Sequence, residues 1–509
     1  MKPGVSAILP KLAFGVYLVL LLLTADVQHT LFYRPQSVHQ WRQADCTSQS
    51  LNYYQNKVSF WTPQLHTRQG KNGYATSEFP LLYYVVGKLY SLFGFHEFLH
   101  RGLNLLIAVL SWWLLFLFSS RLIGNAWLGL IPAIFLSTAP YYFFYANNFL
   151  PNVPGISFAL MGWYAFIRYR EGEKAGWLYV FGLLMLLAGL IKVSDAISFV
   201  AVLCLVAISQ LNWKGLPGQL LPKRHWLHFA LVIVAVVGLT TWWYQYSRHF
   251  NEVHGNKQSL LGILPIWEMN EEDWRLADYM ILKIWWTHYH HQVWTYLLVF
   301  LSLGCAALWR KLDPFLRWAT LILFLGVLAY SVLWFKAFPM HDYYTITQLI
   351  FPVFLLITVL EFLYRWQKGK GRVYSYALGL VLAGLAILGV WNNARVQDLR
   401  YNTYQFQSHL PEGMYDLEPY LRSIGVSREA LVVSVPDPSP NITLYLMNNP
   451  GYSEAFHGPD FDMSWLQSQG AEYLVVNDSS YLEKERYQPY LKKEIGHYKG
   501  ILIFDIRKE

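Results

Sequence analysis

Two short polar clusters near the start of an otherwise apolar chain carry side chains suited to proton transfer. Trp41-Arg42-Gln43-Ala44-Asp45 sets a carboxylate three residues after a guanidinium, and Ser77-Glu78-Phe79-Pro80 adds a second carboxylate just ahead of an apolar stretch. A partly desolvated carboxylate titrates above its usual range and can accept a proton from a hydroxyl, so Asp45 is a candidate general base. The competing assignment is a surface ion pair between Asp45 and Arg42. Glu78 is either a second acidic group of the same site or a carboxylate that favours a helix start through the peptide dipole. Further on, Lys192 and Asp195 bracket a very short connection between apolar segments, where charge is costly unless paired or used. Lys192 could neutralise a phosphate there, or snorkel to the interface. His341-Asp342-Tyr343-Tyr344, after Lys336 and Pro339, is either a wall of the same cavity or an aromatic interfacial belt. Arg275 is a further candidate for phosphate binding. His288, His290 and His291 invite a metal assignment, but their spacing does not converge on one ion, and an aromatic interfacial helix start fits them better.

These groups have to be held by membrane-spanning helices. The 509 residues are 54% hydrophobic and only 14% charged, against about 25% charge in soluble domains. Apolar windows of helix-spanning length centre on residues 11–28, 98–119, 126–146, 153–168, 176–192, 195–211, 226–246, 292–309, 317–336, 345–364 and 373–392, which makes about eleven transmembrane helices. The first is read as a retained span, because no small-residue cleavage site follows it. Every second connection is basic: Arg121; Arg168, Arg170 and Lys174; Lys214, Lys223 and Arg224; Arg310, Lys311 and Arg317; Arg365, Lys368, Lys370 and Arg372. By the positive-inside rule these face the cytoplasm with the N-terminus, which predicts an integral inner-membrane protein whose large loops and C-terminal tail are periplasmic or otherwise extracytoplasmic. The net charge of +8 is accounted for by these loops, so no nucleic-acid partner is predicted and the lipid bilayer is the expected one. Cys46, Cys204 and Cys305 share no ligand spacing, so neither a disulfide framework nor a zinc site is predicted.

The organisation that follows is a transmembrane catalytic domain over residues 1–395 and a separate α/β domain over 396–509. The first outer loop, residues 29–97, and a second, residues 247–291, interrupt the spans. Residues 79–93 are apolar but short and follow Pro80, so an interfacial helix is expected rather than a span. In the tail, 431–435 and 473–476 read as buried strands and 501–506 as a final strand. Residues 441–447, 464–469 and 483–492 read as helices, and 436–440 as a turn. No Gly-rich phosphate fingerprint follows any strand.

In order, spacing and side, the motifs resemble the GT-C class of integral-membrane glycosyltransferases, most closely the bacterial branch related to protein O-mannosyltransferases and the lipid A aminoarabinose transferase. The resemblance covers about residues 10–395. It implies a GT-C-like polytopic α-helical membrane protein with interfacial helices in the first outer loop and a small C-terminal α/β domain. It places Asp45 at the family's catalytic base and matches Glu78-Phe79-Pro80 to its Glu-Lys-Pro element, with Phe79 in place of the Lys. Lys192 corresponds to a Lys at the outer end of a span, and His341, Asp342 and Tyr344 to a motif facing the donor phosphate. Where relatives often carry an Asp before a Pro, this chain has Leu150-Pro151-Asn152-Val153-Pro154. The resemblance implies an inverting hexosyl or pentosyl transfer from a polyprenyl-phosphate sugar donor to a lipid or glycan acceptor in the cell envelope, with a protein as a third acceptor class. Lys192, His341, Arg42 and Arg275 would meet the leaving phosphate. No cofactor follows from the residues; a divalent cation is the one candidate. Two rivals stand beside this assignment: a lipid or oligosaccharide transporter or flippase, which would place polar groups at mid-bilayer in repeated halves, and a non-catalytic polymer-assembly partner.

Overall fold

In the computed structural model, which describes residues 5–69, 71–211, 219–256, 262–368, 372–403, 409–455 and 461–508, all eleven apolar windows lie on helix. Lys214, Lys370 and Glu509 fall outside the described residues. Among the described residues, six helices are long and apolar enough to cross a membrane: Phe98–Ile123, Val193–Gln210, Lys223–His254, Pro314–Ala337, Asp342–Gln367 and Val373–Asn402. Ile8–Thr24, Ala175–Ile191 and Gln292–Ala307 are shorter apolar helices. The window at 126–146, expected as one span, is broken: Ala126–Ser137 and Pro140–Ala146 meet at 77°. Pro140 has no N–H to continue the ladder and sits instead in the first turn of the second helix, where that loss costs nothing.

The chain forms two compact units. One comprises Met1–Leu31, Arg101–Trp243 and Gly262–Leu399; the other comprises Phe32–His100, Tyr244–Leu261 and Arg400–Glu509.

In the first, apolar unit the basic connections meet at one end. Arg121 and Arg168 both pair with Glu171 at 3.3 Å, and Arg224 pairs with Glu173 at 2.5 Å. Arg170 lies 3.7 Å over the Phe315 ring, and Arg365 donates to the Lys311 carbonyl at 3.1 Å. The three connections poor in basic residues also meet one another. Asn152 Nδ2 donates to the Tyr343 carbonyl at 3.3 Å, Ser194 Oγ lies 2.9 Å from Thr347 Oγ1, and Lys192 Nζ sits 4.1 Å from the Tyr344 ring centre. The alternation of charge along the sequence is thus a segregation in space.

The second, polar unit differs from the division expected at residue 396. Its core joins Ala44 and Leu51 of the first loop to Leu417, Val432, Tyr445, Val475 and Ile503 of the tail, so loop and tail share one hydrophobic core. The loop contributes helices Gln40–Gln55 and Leu81–Phe93, the latter being the short apolar helix expected after Pro80. They pack closely at Gly87, where a Cβ would stand 2.8 Å from Tyr53 Cβ and 3.0 Å from the Ser50 carbonyl. The tail folds on a five-stranded sheet, β1 Leu431–Val435, β2 Gly451–Ser453, β3 Ala471–Val476, β4 Glu494–Tyr498 and β5 Ile501–Asp505, in the order β2-β1-β3-β5-β4. β1 runs parallel to β2 and β3, while β5 is antiparallel to β3 and β4. Alternation sends Val432, Tyr473 and Val475 to the core shared with the loop, and Val433, Val435 and Leu474 to a second core on the other face. The loop is also stitched to the sheet edge: Arg68 N donates to the Gly451 carbonyl at 2.7 Å, and Gly451 N to that of His66 at 3.0 Å. Only glycine fits at 451, because a Cβ there would lie 1.9 Å from the Val432 carbonyl oxygen. Residues 483–492, expected as a helix, hold only the short 3₁₀ turn Gln488–Tyr490 and the end of another, Ser479–Glu483, and lead into β4. Pro489 and the short chain left before β4 leave no room for a regular helix.

Candidate active site

Arg42 and Asp45 lie three residues apart on helix Gln40–Gln55, and that spacing puts both on one face, with Ala44 turned into the core. The helix entry is pinned by Gln43, whose Nε2 donates to the carbonyls of Gln36 at 2.7 Å and Val38 at 2.8 Å. Arg42 forms its ion pair with Glu78, not with Asp45, and also donates to Ser77 Oγ at 3.4 Å. Tyr83, one turn into helix Leu81–Phe93, donates to Glu78 Oε1 at 2.5 Å. Glu78 is therefore neutralised and fixed, and the surface-pair alternative for Asp45 gives way to a different arrangement.

Asp45 is half-buried and accepts a hydrogen bond from Asn441 Nδ2 at 3.1 Å. Burial pushes its carboxyl up to about 6; the Arg42 charge and the Asn441 hydrogen bond pull it down, and Glu78 pushes it up again. Burial opposes the charge on Arg42, yet Glu78 leaves the guanidinium well above its ordinary value, so it is permanently cationic. Cys46, next on the helix, is no nucleophile: burial pushes its thiol up to about 12, and Sγ lies 3.3 Å from Tyr83 OH.

Asn441 is the residue that the linear sequence concealed. Its Oδ1 accepts from the Thr67 backbone N–H at 3.0 Å, which fixes the amide so that the donor end faces Asp45. It is fully buried and follows the turn at 436–440, which is held by Asp437 accepting from Ser439 N at 2.8 Å and Thr443 N at 2.7 Å. A helix-like turn after a Pro-rich stretch was legible, but nothing in the spacing ties position 441 to position 45. Tyr83 was equally unsignalled, since it lies on an apolar helix among other aromatics.

In the apolar unit, Lys192 stands between helices Ala175–Ile191 and Val193–Ala196, beside the ring of Tyr344. His341 packs its ring 5.5 Å from Tyr343 and 5.7 Å from Tyr344, so it adjoins the ring that Lys192 approaches. Asp342 is fully buried and accepts from Tyr145 OH, while Thr345 Oγ1 donates to its backbone carbonyl at 2.6 Å. Its carboxylate is thus a structural anchor and not an exposed ligand. Asp195 is buried, accepts from Thr347 Oγ1 at 2.6 Å, and approaches Gly155 so closely that a Cβ there would lie 2.3 Å from Oδ2. Arg275 does not join this group; it forms an exposed pair with Glu271 one helical turn away at 2.6 Å, a solvated contact of little energy. Among the described residues no group of three or more His, Cys, Asp or Glu side chains could hold a metal ion, so no residues can be named for a divalent cation. His290 instead stacks on Phe135 at 4.7 Å and contacts its carbonyl at 3.1 Å.

Among the described residues, the polar unit has clefts of about 470 and 840 Å³. The first lies against Tyr33, Arg34, Tyr401 and Tyr415, and the second against the tail sheet; Asp45 lines neither.

Residues 77–244 match the family described as dolichyl-phosphate-mannose-protein mannosyltransferase. No curated protein sequence matches the chain. Among solved structures, ArnT from Cupriavidus metallidurans bound to undecaprenyl phosphate superposes with a TM-score of 0.59 at 14% identity, covering 97% of both chains. The Archaeoglobus fulgidus oligosaccharyltransferase tethered to an acceptor peptide gives 0.56 at 11% identity over 90% of this chain and 68% of that one. The archaeal oligosaccharyltransferase AglB from the same organism, in complex with an inhibitory peptide and a dolichol-phosphate, gives 0.52 at 11%, over 90% and 69%. Likeness along nearly the whole chain at such low identity is likeness of architecture: the chain has the fold of ArnT and of the archaeal oligosaccharyltransferase.

Proposed function

We propose that the chain is an inverting glycosyltransferase that moves a hexose or pentose from a polyprenyl-phosphate donor to a hydroxyl of an envelope lipid, glycan or protein, on the non-cytoplasmic face of the membrane. The observation that carries this reading is the division of labour between two neighbouring carboxylates. Glu78 is spent on Arg42 and Tyr83, while Asp45 is left half-exposed with a carboxyl near 6 and an oriented amide behind it. A group poised there is ionised at neutral pH yet basic enough to take a proton from an attacking hydroxyl. The acceptor oxygen forms its bond to the anomeric carbon as the polyprenyl phosphate leaves with the electron pair, and the proton passes to Asp45. Lys192, beside the Tyr344 ring against which His341 packs, is suited to the anionic phosphate, since fixed positive charge stabilises the dianionic leaving group more than the monoanionic phosphodiester of the donor. Undecaprenyl phosphate on ArnT and dolichol-phosphate on AglB support a lipid-phosphate donor for this fold.

The test is transfer of a radiolabelled sugar from polyprenyl phosphate to envelope acceptors by the chain in lipid nanodiscs. Asp45→Asn is expected to lower kcat by roughly 10²–10⁴ with expression and melting unchanged. Wild-type turnover in that variant would remove the base assignment. Mass spectrometry of envelope glycans with and without the gene would then name donor and acceptor together.

A further inference from the structure

Asp195 carries a buried carboxylate oxygen that the fold leaves unanswered. The residue is 2% exposed, and its Oδ1 accepts from Thr347 Oγ1 at 2.6 Å; that hydroxyl lies in turn 2.9 Å from Ser194 Oγ. Among the described residues, Oδ2 has no hydrogen-bond partner. An ionised carboxylate this deep in an apolar unit is costly unless a cation meets it.

Lys192 is beside it. The two residues close one turn, in which Asp195 N donates to the Lys192 carbonyl at 2.9 Å, and the Lys192 charge acts on Asp195 through space. Both adjoin Gly155: a Cβ built there would stand 2.3 Å from Asp195 Oδ2 and 3.1 Å from Lys192 Cβ. With both atoms so near one point, rotation about the four-carbon stem of Lys192 is enough to carry its ammonium to Oδ2. The ammonium lies instead 4.1 Å from the Tyr344 ring centre. Thr347 and Tyr344 belong to one 3₁₀ segment, Asp342–Leu349, so a single element fixes the carboxylate at one residue and offers the ring at another. Gly155 keeps the path between these two seats clear, since a side chain there would strike both Oδ2 and the lysine stem.

We infer that Asp195 is a positioning residue that offers Lys192 a second seat, so that its carboxylate competes with the lipid's phosphate for the ammonium and lets the product lipid go. The inference rests on the transferase reading, in which Lys192 meets the leaving phosphate. Cleavage at the anomeric carbon turns a phosphodiester monoanion into a phosphomonoester with up to two charges, so Lys192 holds the product more tightly than it held the donor. Turnover then needs another anion for the lysine, and Asp195 Oδ2 supplies one within the protein.

The test measures binding directly. The full-length chain in nanodiscs is titrated calorimetrically with a short-chain polyprenyl phosphate and, as control, with the corresponding polyprenol. Asp195→Asn keeps the shape and still accepts from Thr347, Gly155→Ala blocks the path to Oδ2 from the facing helix, and melting curves check that each variant folds. Each is expected to bind polyprenyl phosphate about tenfold more tightly than wild type, as removal of a competing charge-assisted hydrogen bond implies, with polyprenol binding unchanged. Damage to packing weakens binding, so a gain separates competition from a merely structural role. In the Lys192→Met background, adding Asp195→Asn should bring no tightening. In transfer assays Asp195→Asn should give a fast first turnover and a slower steady state, with kcat and donor KM both lowered. Unchanged or weaker phosphate binding by both variants would overturn the proposal, and so would an equal gain without Lys192, which would mean plain repulsion by the carboxylate. Either result leaves the transferase reading standing, whereas a wild type that does not prefer polyprenyl phosphate to polyprenol would remove the phosphate role of Lys192 from that reading as well.

Discussion

At the scale of single residues, the chemistry depends on which carboxylate stays uncommitted. Arg42 lies one turn from Asp45 on the same helix, yet its ion pair goes to Glu78, so Asp45 feels the guanidinium only through space. This makes the pH dependence specific. Because burial raises the Asp45 carboxyl to about 6, the ionised base is lost as pH falls through that value, and kcat/KM for transfer should drop about tenfold per pH unit below it. Asn441 stabilises the charged form, so Asn441→Ala raises the carboxyl further and moves the acid limb to higher pH. Glu78→Gln acts in the other direction: it removes a repelling charge and releases Arg42 from its pair, so the limb moves to lower pH. A pH–rate series on the three proteins reads both signs, and coincident acid limbs would mean that a different group titrates.

At the scale of elements, the site is a contact between two loop helices and a tail turn. Helix Leu81–Phe93 carries Tyr83 and is preceded by Glu78; helix Gln40–Gln55 carries Arg42 and Asp45. Their separation is set at Gly87, where any side chain would strike Tyr53 and the backbone of Ser50. Gly87→Val should therefore cost about 1–3 kcal/mol through overpacking, and should lower kcat by more than that loss of stability explains, because the same displacement pulls Glu78 from Arg42. Thermal melts and transfer rates on one preparation separate the two effects; a variant with wild-type melting and wild-type rate would show that helix spacing does not set the site.

At the scale of the whole molecule, charge sorts the two ends of the apolar unit. Arg121, Arg168, Arg170, Arg224 and Arg365 meet at one end, and the connections holding Lys192 and His341 gather elsewhere in the same unit. Cysteines introduced at exposed Lys174 and Ser468, in a chain whose Cys46, Cys204 and Cys305 are replaced, should label from opposite faces. In intact cells a membrane-impermeant maleimide should reach Ser468→Cys and not Lys174→Cys. The reverse pattern would place the tail in the cytoplasm and end the proposed topology.

The helices, their charge alternation, the short apolar helix after Pro80 and the strands expected at 431–435, 473–476 and 501–506 were legible in the chain because periodicity, apolar length and flanking charge are local properties. Residue types alone marked Asp45, Arg42 and Glu78 as reactive. What they could not disclose was pairing. The partner of Arg42 lies 36 residues away and that of Asp45 lies 396 away. Only the closing of loop helix and tail sheet over one core decides which of their polar atoms meet, and within the apolar unit it is likewise packing that makes Asp342 a buried anchor and leaves Arg275 in solvent. Side chains far apart in sequence meet only after the backbone between them has spent its conformational entropy, and that contest is settled by the summed burial of the core and not by any local signal.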